Sequence, residues 1–480
     1  MRPHLRPLLA LAPLLGLALA ARSLPQFALP TAWPVERMVT NLERTANENP
    51  DDAQAHYELG RVHALAFTLE ANELGMWMTD PPRPLAAHQQ SAHYGRAKKP
   101  GDTPSPETLR RHVDQGLTHL QRAVSLAPER AEIHLSLAHL VEHAAHLAAD
   151  FDTQRLFQLP QIRLRREVGE AIQRNLEALG ADKKSTRRRA MKELQSREQF
   201  LPALERLHRE VASSNRHRSD SARELLRRFW IEQAIHHYRL ATDLSLPIDL
   251  QLEARPMAYI DGNSLSQLAS YEAGRAWIRL VEERDPVDDR EKQALVSTKA
   301  AIEKLEDLPP PNMITPLVVS FTPHQRLADL LLPDHAVLFD LDGNGVEEAW
   351  PWVRPETAFL VWDPEHEGRI TDARQLFGTA SAQLLFGDGY RALAALDDDG
   401  DGWVSGDELT GVALWFDRDS DGYCDPGEVA PAREHGIAGL ATSAAATEGP
   451  SLVSPCGVRL EDGRVLPSYD WVTAPVRELP

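Results

Sequence analysis

Asp397-Asp398-Asp399-Gly400-Asp401-Gly402-Trp403-Val404-Ser405-Gly406-Asp407-Glu408 places acids at the first, third and fifth positions of a twelve-residue stretch, a glycine at the sixth and a glutamate at the twelfth. Each position has a chemical task if the stretch wraps a cation. Asp397, Asp399 and Asp401 offer side-chain oxygens, Gly402 allows the sharp turn, Trp403 offers its backbone carbonyl, Ser405 acts through water, and Glu408 closes the site bidentately. A hard, all-oxygen donor set of this size selects Ca²⁺ over magnesium, zinc or iron. The pattern repeats twenty residues later with Asp417, Asp419, Asp421, Gly422, Tyr423, Asp425 and Glu428 in the same roles. Only eight residues separate Glu408 from Asp417. Two independent helix-loop-helix units do not fit there, so one short helix carrying Leu409, Val412, Leu414 and Trp415 is expected to leave one loop and enter the next.

Both stretches resemble EF-hand calcium loops, and two weaker versions precede them. Asp340, Asp342 and Asn344 keep the first three ligand positions, with Gly345 at the turn and Val346 offering a carbonyl. Pro351 stands where the closing acid belongs, which leaves Glu348 as the substitute. In the other, Asp363, Glu365 and Glu367 precede Gly368, and Gln375 stands where an acid might close the site, so a calcium-free structural loop is expected. The order of motifs carries a second resemblance: Phe339 to Gly345, Trp352-Val353, Phe359 to Asp363, Gly368 to Asp372, Gln375-Leu376-Phe377-Gly378, Gly389-Tyr390 through Asp397, and His435-Gly436-Ile437. That order is similar to the calcium-binding C-terminal cassette of large exported bacterial proteins, including iron-regulated RTX-type proteins, over roughly residues 336–440. The resemblance implies calcium binding. Gln375 replaces the cassette's usual Glu, and the glycine-rich nonapeptide repeats of RTX proteins are absent from this sequence.

Charge is distributed to match. The 480 residues carry 52 Lys and Arg against 71 Asp and Glu, a net charge of −19. From Asp334 to Glu428 there are 22 acids against five Arg and no Lys, so this segment alone accounts for −17. Phosphate binding requires a basic surface, which argues against nucleic acid as a partner. Mutually repelling carboxylates held this densely call for bound cations.

Two arginines within Met1 to Arg6, the apolar run Pro7 to Ala20 and the small residues Ala18-Leu19-Ala20 read as a cleaved secretory signal over residues 1–20. The run is 14 residues, interrupted by Pro13, and shorter than the ~20 a membrane span requires. Export to the periplasm or the outside is therefore expected, with no integral membrane span. Cys424 and Cys456 leave both a disulfide and two free thiols open.

Residues 36–308 read as helical. Tyr57, Leu59 and Gly60 resemble the first helix of a tetratricopeptide repeat, and Gly116, Leu120, Ala123, Val124 and Pro128 resemble a second helix of that repeat. Ala234, Tyr238, Ala241 and Leu244 share the second-helix spacing. Long insertions separate these fragments, including a charged stretch with the basic cluster Lys183 to Lys192, and Pro309-Pro310-Pro311 ends the region. His139-Leu140-Val141-Glu142-His143 spells an inverted zinc-protease motif, but no companion acidic ligand motif lies at a matching separation.

The sequence therefore predicts a mainly α protein. A helical-hairpin, tetratricopeptide-like scaffold over 36–308 precedes a small EF-hand-type module over 315–445 and a tail over 446–480. The expected function is that of an exported calcium-binding protein in which calcium orders the C-terminal module and the helices contact a protein partner, with no convincing catalytic constellation. The alternative is a zinc-dependent hydrolase using His139, Glu142 and His143.

Overall fold

The computed structural model describes residues 32–74, 103–151, 209, 211–212, 216–250, 269–284, 286, 289–306, 314–322, 326–343 and 347–476. The expected signal over 1–20, the cluster Lys183 to Lys192, and the proposed ligands Asn344 and Val346 lie outside the described residues.

Seven helices precede residue 307 among the described residues: α1 Val35–Glu48, α2 Ala53–Thr68, α3 Pro106–Leu126, α4 Ala131–His143, α5 Arg216–Asp249, α6 Ala269–Arg284 and α7 Asp289–Glu306. Local chemistry sets their starts. The Asp52 carboxylate accepts from the Gln54 amide to begin α2, and Ser105 caps α3 ahead of Pro106. Close packing of α2 on α3 requires glycine. A Cβ on Gly60 would stand 2.7 Å from Leu120 Cγ and 3.0 Å from the Leu120 amide nitrogen. Histidine pairs flank this crossing: His56 and His119 meet Nδ1 to Nδ1 at 3.0 Å, His63 and His112 at 2.8 Å. A third pair, His134 and His237, joins α4 to α5 at 2.9 Å. Tyr57 and Tyr238 are fully buried, as packing residues are.

The mainly α expectation is overturned by the C-terminal half. After a two-residue pairing of β1 Trp33–Pro34 with β2 Glu73–Leu74 come β3 Leu317–Ser320, α8 Leu327–Leu330, β4 Leu331–Phe339, β5 Glu348–Val353 and β6 Thr357–Trp362. They are followed by α9 Gly389–Ala394, β7 Trp403–Ser405, β8 Val412–Trp415, β9 Val429–Pro431, β10 Ile437–Ala441, β11 Ala446–Glu448, β12 Ser451–Leu460 and β13 Val465–Asp470. Nine of these strands form one antiparallel sheet in the order β7-β10-β12-β13-β3-β6-β8-β9, with β11 on β12; β4 and β5 form a separate hairpin. A small EF-hand-type module is thus replaced by a large sheet. The residues read as a tail supply three of its strands.

Two particular readings fail for identifiable reasons. The connection between the acidic loops is a 3-10 turn, Gly406–Leu409, followed by strand β8, not a helix. Gly411, at φ +88°, breaks the chain between them. The central strands lack the alternation of apolar and polar residues because both faces of the sheet are covered. Ala358, Leu360, Val412 and Leu414 face a core shared with Val35, Met38, Val39 and Leu42 of α1. Phe359, Val361, Ala413 and Trp415 face an aromatic core with Phe339, Trp350 and Trp352 of the β4–β5 hairpin. A strand buried on both sides reads as a continuous apolar run, which periodicity does not separate from a buried helix.

Candidate metal centre

The first acidic loop runs from the end of α9 into β7. Its carboxylates face inward because the backbone amides do. Asp397 Oδ1 accepts from the Gly400 amide at 2.7 Å and its Oδ2 from Gly402 at 3.0 Å. Asp399 accepts from Asp401 at 3.0 Å, and Asp401 from Trp403 at 2.8 Å. Glu408 reaches back across the loop: Oε1 accepts from the amides of Asp398 and Asp399 at 2.6 and 3.1 Å, and Oε2 from Ser405 at 2.8 Å. Gly402 supplies φ +85° at the turn, a conformation that side chains with a Cβ rarely adopt. Asp397, Asp399 and Glu408 each bring a carboxylate oxygen within 4.8 Å of the others.

The second loop, between β8 and β9, repeats the network. Asp417 accepts from the amides of Asp421 at 3.3 Å and Gly422 at 2.9 Å. Asp421 accepts from Tyr423 at 2.8 Å. Glu428 accepts from Arg418 at 2.6 Å and Asp425 at 3.0 Å. Here Asp417, Asp419 and Asp421 bring carboxylate oxygens within 4.8 Å of one another. The indole N–H groups of Trp352 and Trp415 donate to Asp417 at 2.5 Å and Glu428 at 3.3 Å, tying both ends of the loop to the aromatic core. The spacing of acids gave no sign of these two indoles, since one of them comes from the β4–β5 hairpin.

Electrostatics bear the mark of crowded acids. Burial, with the Glu428 charge nearby, pushes the Asp417 carboxyl up to about 6 against the hydrogen bonds it accepts. Asp397 and Asp421 are raised in the same direction, again chiefly by burial. Burial also works against the charge of Asp398, but hydrogen bonds from Arg37 and Asn41 outweigh it and hold that carboxyl below its ordinary value. An all-oxygen donor set, preformed on two glycine-turned loops and carrying excess negative charge, fits a hard divalent cation such as Ca²⁺.

Asp340, Asp342 and Glu348 form a third group, again with carboxylate oxygens within 4.8 Å of one another. The Asp363 loop is built otherwise. Asp363 accepts from the amides of Glu367 and Gly368, and the neutral amide of Gln375 closes the loop by accepting from Thr371 and donating to Arg369 O. No acidic grouping forms there among the described residues.

With these loops in place, the comparisons have a structural footing. Residues 329–466 match the family model of the SPM domain. Within the chain, 108 residues are 34% identical to the iron-regulated protein FrpA of Neisseria meningitidis serogroup C, covering 22% of this chain and 10% of FrpA. The chain thus spans about a tenth of the length of that curated relative. The SPM match contains all three carboxylate groups and the strands from β4 to β12.

The remaining candidates stand apart. Glu142 accepts from the Tyr238 hydroxyl at 2.7 Å and from Arg279 at 2.5 Å, and His143 Nδ1 lies 2.8 Å from the His139 carbonyl. No group of three metal-binding side chains among the described residues includes His139, Glu142 or His143. Cys424 and Cys456 are free thiols. No described helix is long and apolar enough to cross a membrane.

Proposed function

We propose that this chain is an exported calcium-binding protein whose acidic loops take up Ca²⁺ and thereby stiffen the SPM-matching sheet. The duplicated network carries the reading: two loops twenty residues apart orient the same acid positions with the same backbone amides. Asp397, Asp399, Asp401, the Trp403 carbonyl, Ser405 and Glu408 would hold one ion. Asp417, Asp419, Asp421, the Tyr423 carbonyl, Asp425 and Glu428 would hold another, and Asp340, Asp342 and Glu348 supply the donors of a third, weaker site. A leader over residues 1–20 and a helical region over 36–308 that contacts a protein partner complete the proposal.

Calcium is the ion this donor chemistry selects, and its role is structural: it offsets repulsion among carboxylates that the loops force together. Titration calorimetry on the full chain tests this. At least two ions should bind, with dissociation constants on the order of 10⁻⁴ to 10⁻³ M as in extracellular modules. At tenfold excess over its dissociation constant, calcium adds about 1.4 kcal/mol per site to the stability of the sheet half. A chain with Glu408→Gln and Glu428→Gln that still shows the full calcium-dependent rise in melting temperature would show the sites to be elsewhere.

A further inference from the structure

The first acidic loop is held from outside by a helix more than 340 residues earlier in the chain. Arg37, Asn41 and Arg44 lie one helical turn apart on the face of α1 opposite its core residues Met38, Val39 and Leu42. Arg37 Nη2 donates to the Leu396 carbonyl at 2.8 Å and to the Glu408 carbonyl at 3.4 Å, so one guanidinium spans the two ends of the loop. Its Nε donates to Asp398 at 2.8 Å, and Asn41 donates to Asp398 and to the Ala395 carbonyl, both at 2.9 Å. Arg44 donates to the carbonyls of Asp397 and Asp398.

These last two contacts matter most. The peptide groups whose oxygens Arg44 holds are the ones whose amides, on Asp398 and Asp399, donate to Glu408. Arg44 and Glu408 therefore grip opposite ends of the same two peptide dipoles. The guanidinium fixes the N–H groups that aim the closing carboxylate, and its Nη2 also lies 3.9 Å from Asp397 Oδ1 at the edge of the carboxylate cluster. A Cβ on Gly400 would stand 2.7 Å from Arg44 Nε, so the helix and loop are fitted to each other.

We propose that Arg37, Asn41 and Arg44 are positioning residues for the first cation loop, and that calcium in this loop and the docking of α1 reinforce each other. The proposal rests on the calcium reading of the loops. Its direction follows from geometry: α1 fixes the loop ends before an ion arrives, so losing α1 contacts weakens binding, and by reciprocity an ion tightens α1. The positive charge of the two arginines acts the other way, by repelling a cation. It is partly exposed and screened, whereas the peptide orientation it enforces is lost outright on truncation.

The full-length chain provides the test, with one loop silenced at a time. Glu348→Gln silences the third group in both backgrounds: with Glu428→Gln, calorimetry with Ca²⁺ reads the first loop, and with Glu408→Gln it reads the second. Arg37→Ala with Arg44→Ala should weaken the first loop about tenfold and leave the second unchanged, the second loop serving as the control for folding. Arg37→Lys with Arg44→Lys should not restore affinity, because an ammonium does not span two carbonyls as a guanidinium does. Calcium should also slow hydrogen exchange over residues 35–48 in the Glu428→Gln chain and not in the Glu408→Gln chain. Unchanged or tighter binding in the double alanine variant, full rescue by lysine, or no change in α1 exchange would each overturn the coupling. Absence of calcium binding in the Glu428→Gln chain with α1 intact would instead overturn the calcium reading of this loop.

Discussion

Acid should loosen the helical half through its histidine pairs, and the size of the effect follows from where they sit. His63 and His112 are buried against each other, and burial first, then neighbouring positive or potentially positive groups, pulls His63 down to about 3 and His112 to about 4. His119, paired with His56, is likewise lowered to about 4 by burial and by that neighbour. Arg111 adds to the depression of His63 and His112, and Glu36 partly opposes it at His112. These imidazoles stay neutral when folded, whereas the unfolded chain takes up protons near 6.5. The unfolded state therefore binds more protons between about pH 6.5 and pH 4, and stability is lost as pH falls through that window. Each imidazole kept neutral at pH 5 costs about 2 kcal/mol relative to pH 8. His63, His112 and His119 together give about 6 kcal/mol at the α2–α3 contact. Asp470, buried beside Asp388 and raised well above its ordinary value, and Asp417 have the opposite sign, so acidification favours the folded sheet. A local measurement is needed: hydrogen exchange of the α2 and α3 amides at pH 8 and pH 5, corrected for intrinsic rates. The opening free energy should fall by about 6 kcal/mol in the native chain and about 2 kcal/mol with His63→Gln and His112→Gln. Equal falls in the two chains would refute the assignment.

Trp352→Phe should destabilise the sheet half by about 3 kcal/mol, since it removes both a hydrogen bond to a buried carboxylate and part of a packed indole; near-UV circular dichroism during melting reads the loss, and an unchanged midpoint would contradict it. Gly60→Ala should cost about 1–3 kcal/mol despite the better helix propensity of alanine, because the new methyl meets the Leu120 backbone. Gly116→Ala should cost less, because its nearest obstacle is the mobile end of Leu140, and urea unfolding of the two variants side by side checks the ranking.

The acid groupings were readable because ligand spacing is local: twelve residues contain almost everything that aims the carboxylates of each loop. Asp397, Asp399 and Glu408 come together as the spacing implied, and so do Asp417, Asp419 and Asp421. Gln375 also does what an amide in place of an acid predicts, closing its loop with neutral hydrogen bonds. The sheet was not readable in the same way. Val412 to Trp415 is apolar throughout because α1 covers one face and the β4–β5 hairpin the other, facts set by residues far away in the chain. A local signal did exist at the C-terminus. Glu461-Asp462-Gly463 lies between two valine- and leucine-containing runs, the mark of a hairpin, and Gly463 takes φ +85° at the turn joining β12 to β13. The grip of Arg37 and Arg44 on the first loop had no signature at all, since two arginines on a helix ordinarily face water.

The shared core of α1, α2 and the sheet has a consequence for how the chain reaches its native state. Val35, Met38 and Leu42 are buried with Val458, Leu460 and Leu466, so the core of α1 is completed only when almost the whole chain has been made. Contacts of such high sequence separation slow the search, and a nascent N-terminus with its apolar stripe uncovered is exposed to misassembly until β12 and β13 arrive. The molecule is stitched shut last to first: truncating the final hairpin would strip Val458, Leu460 and Leu466 from the core that α1 and α2 share with the sheet, although α2 would keep its seam with α3.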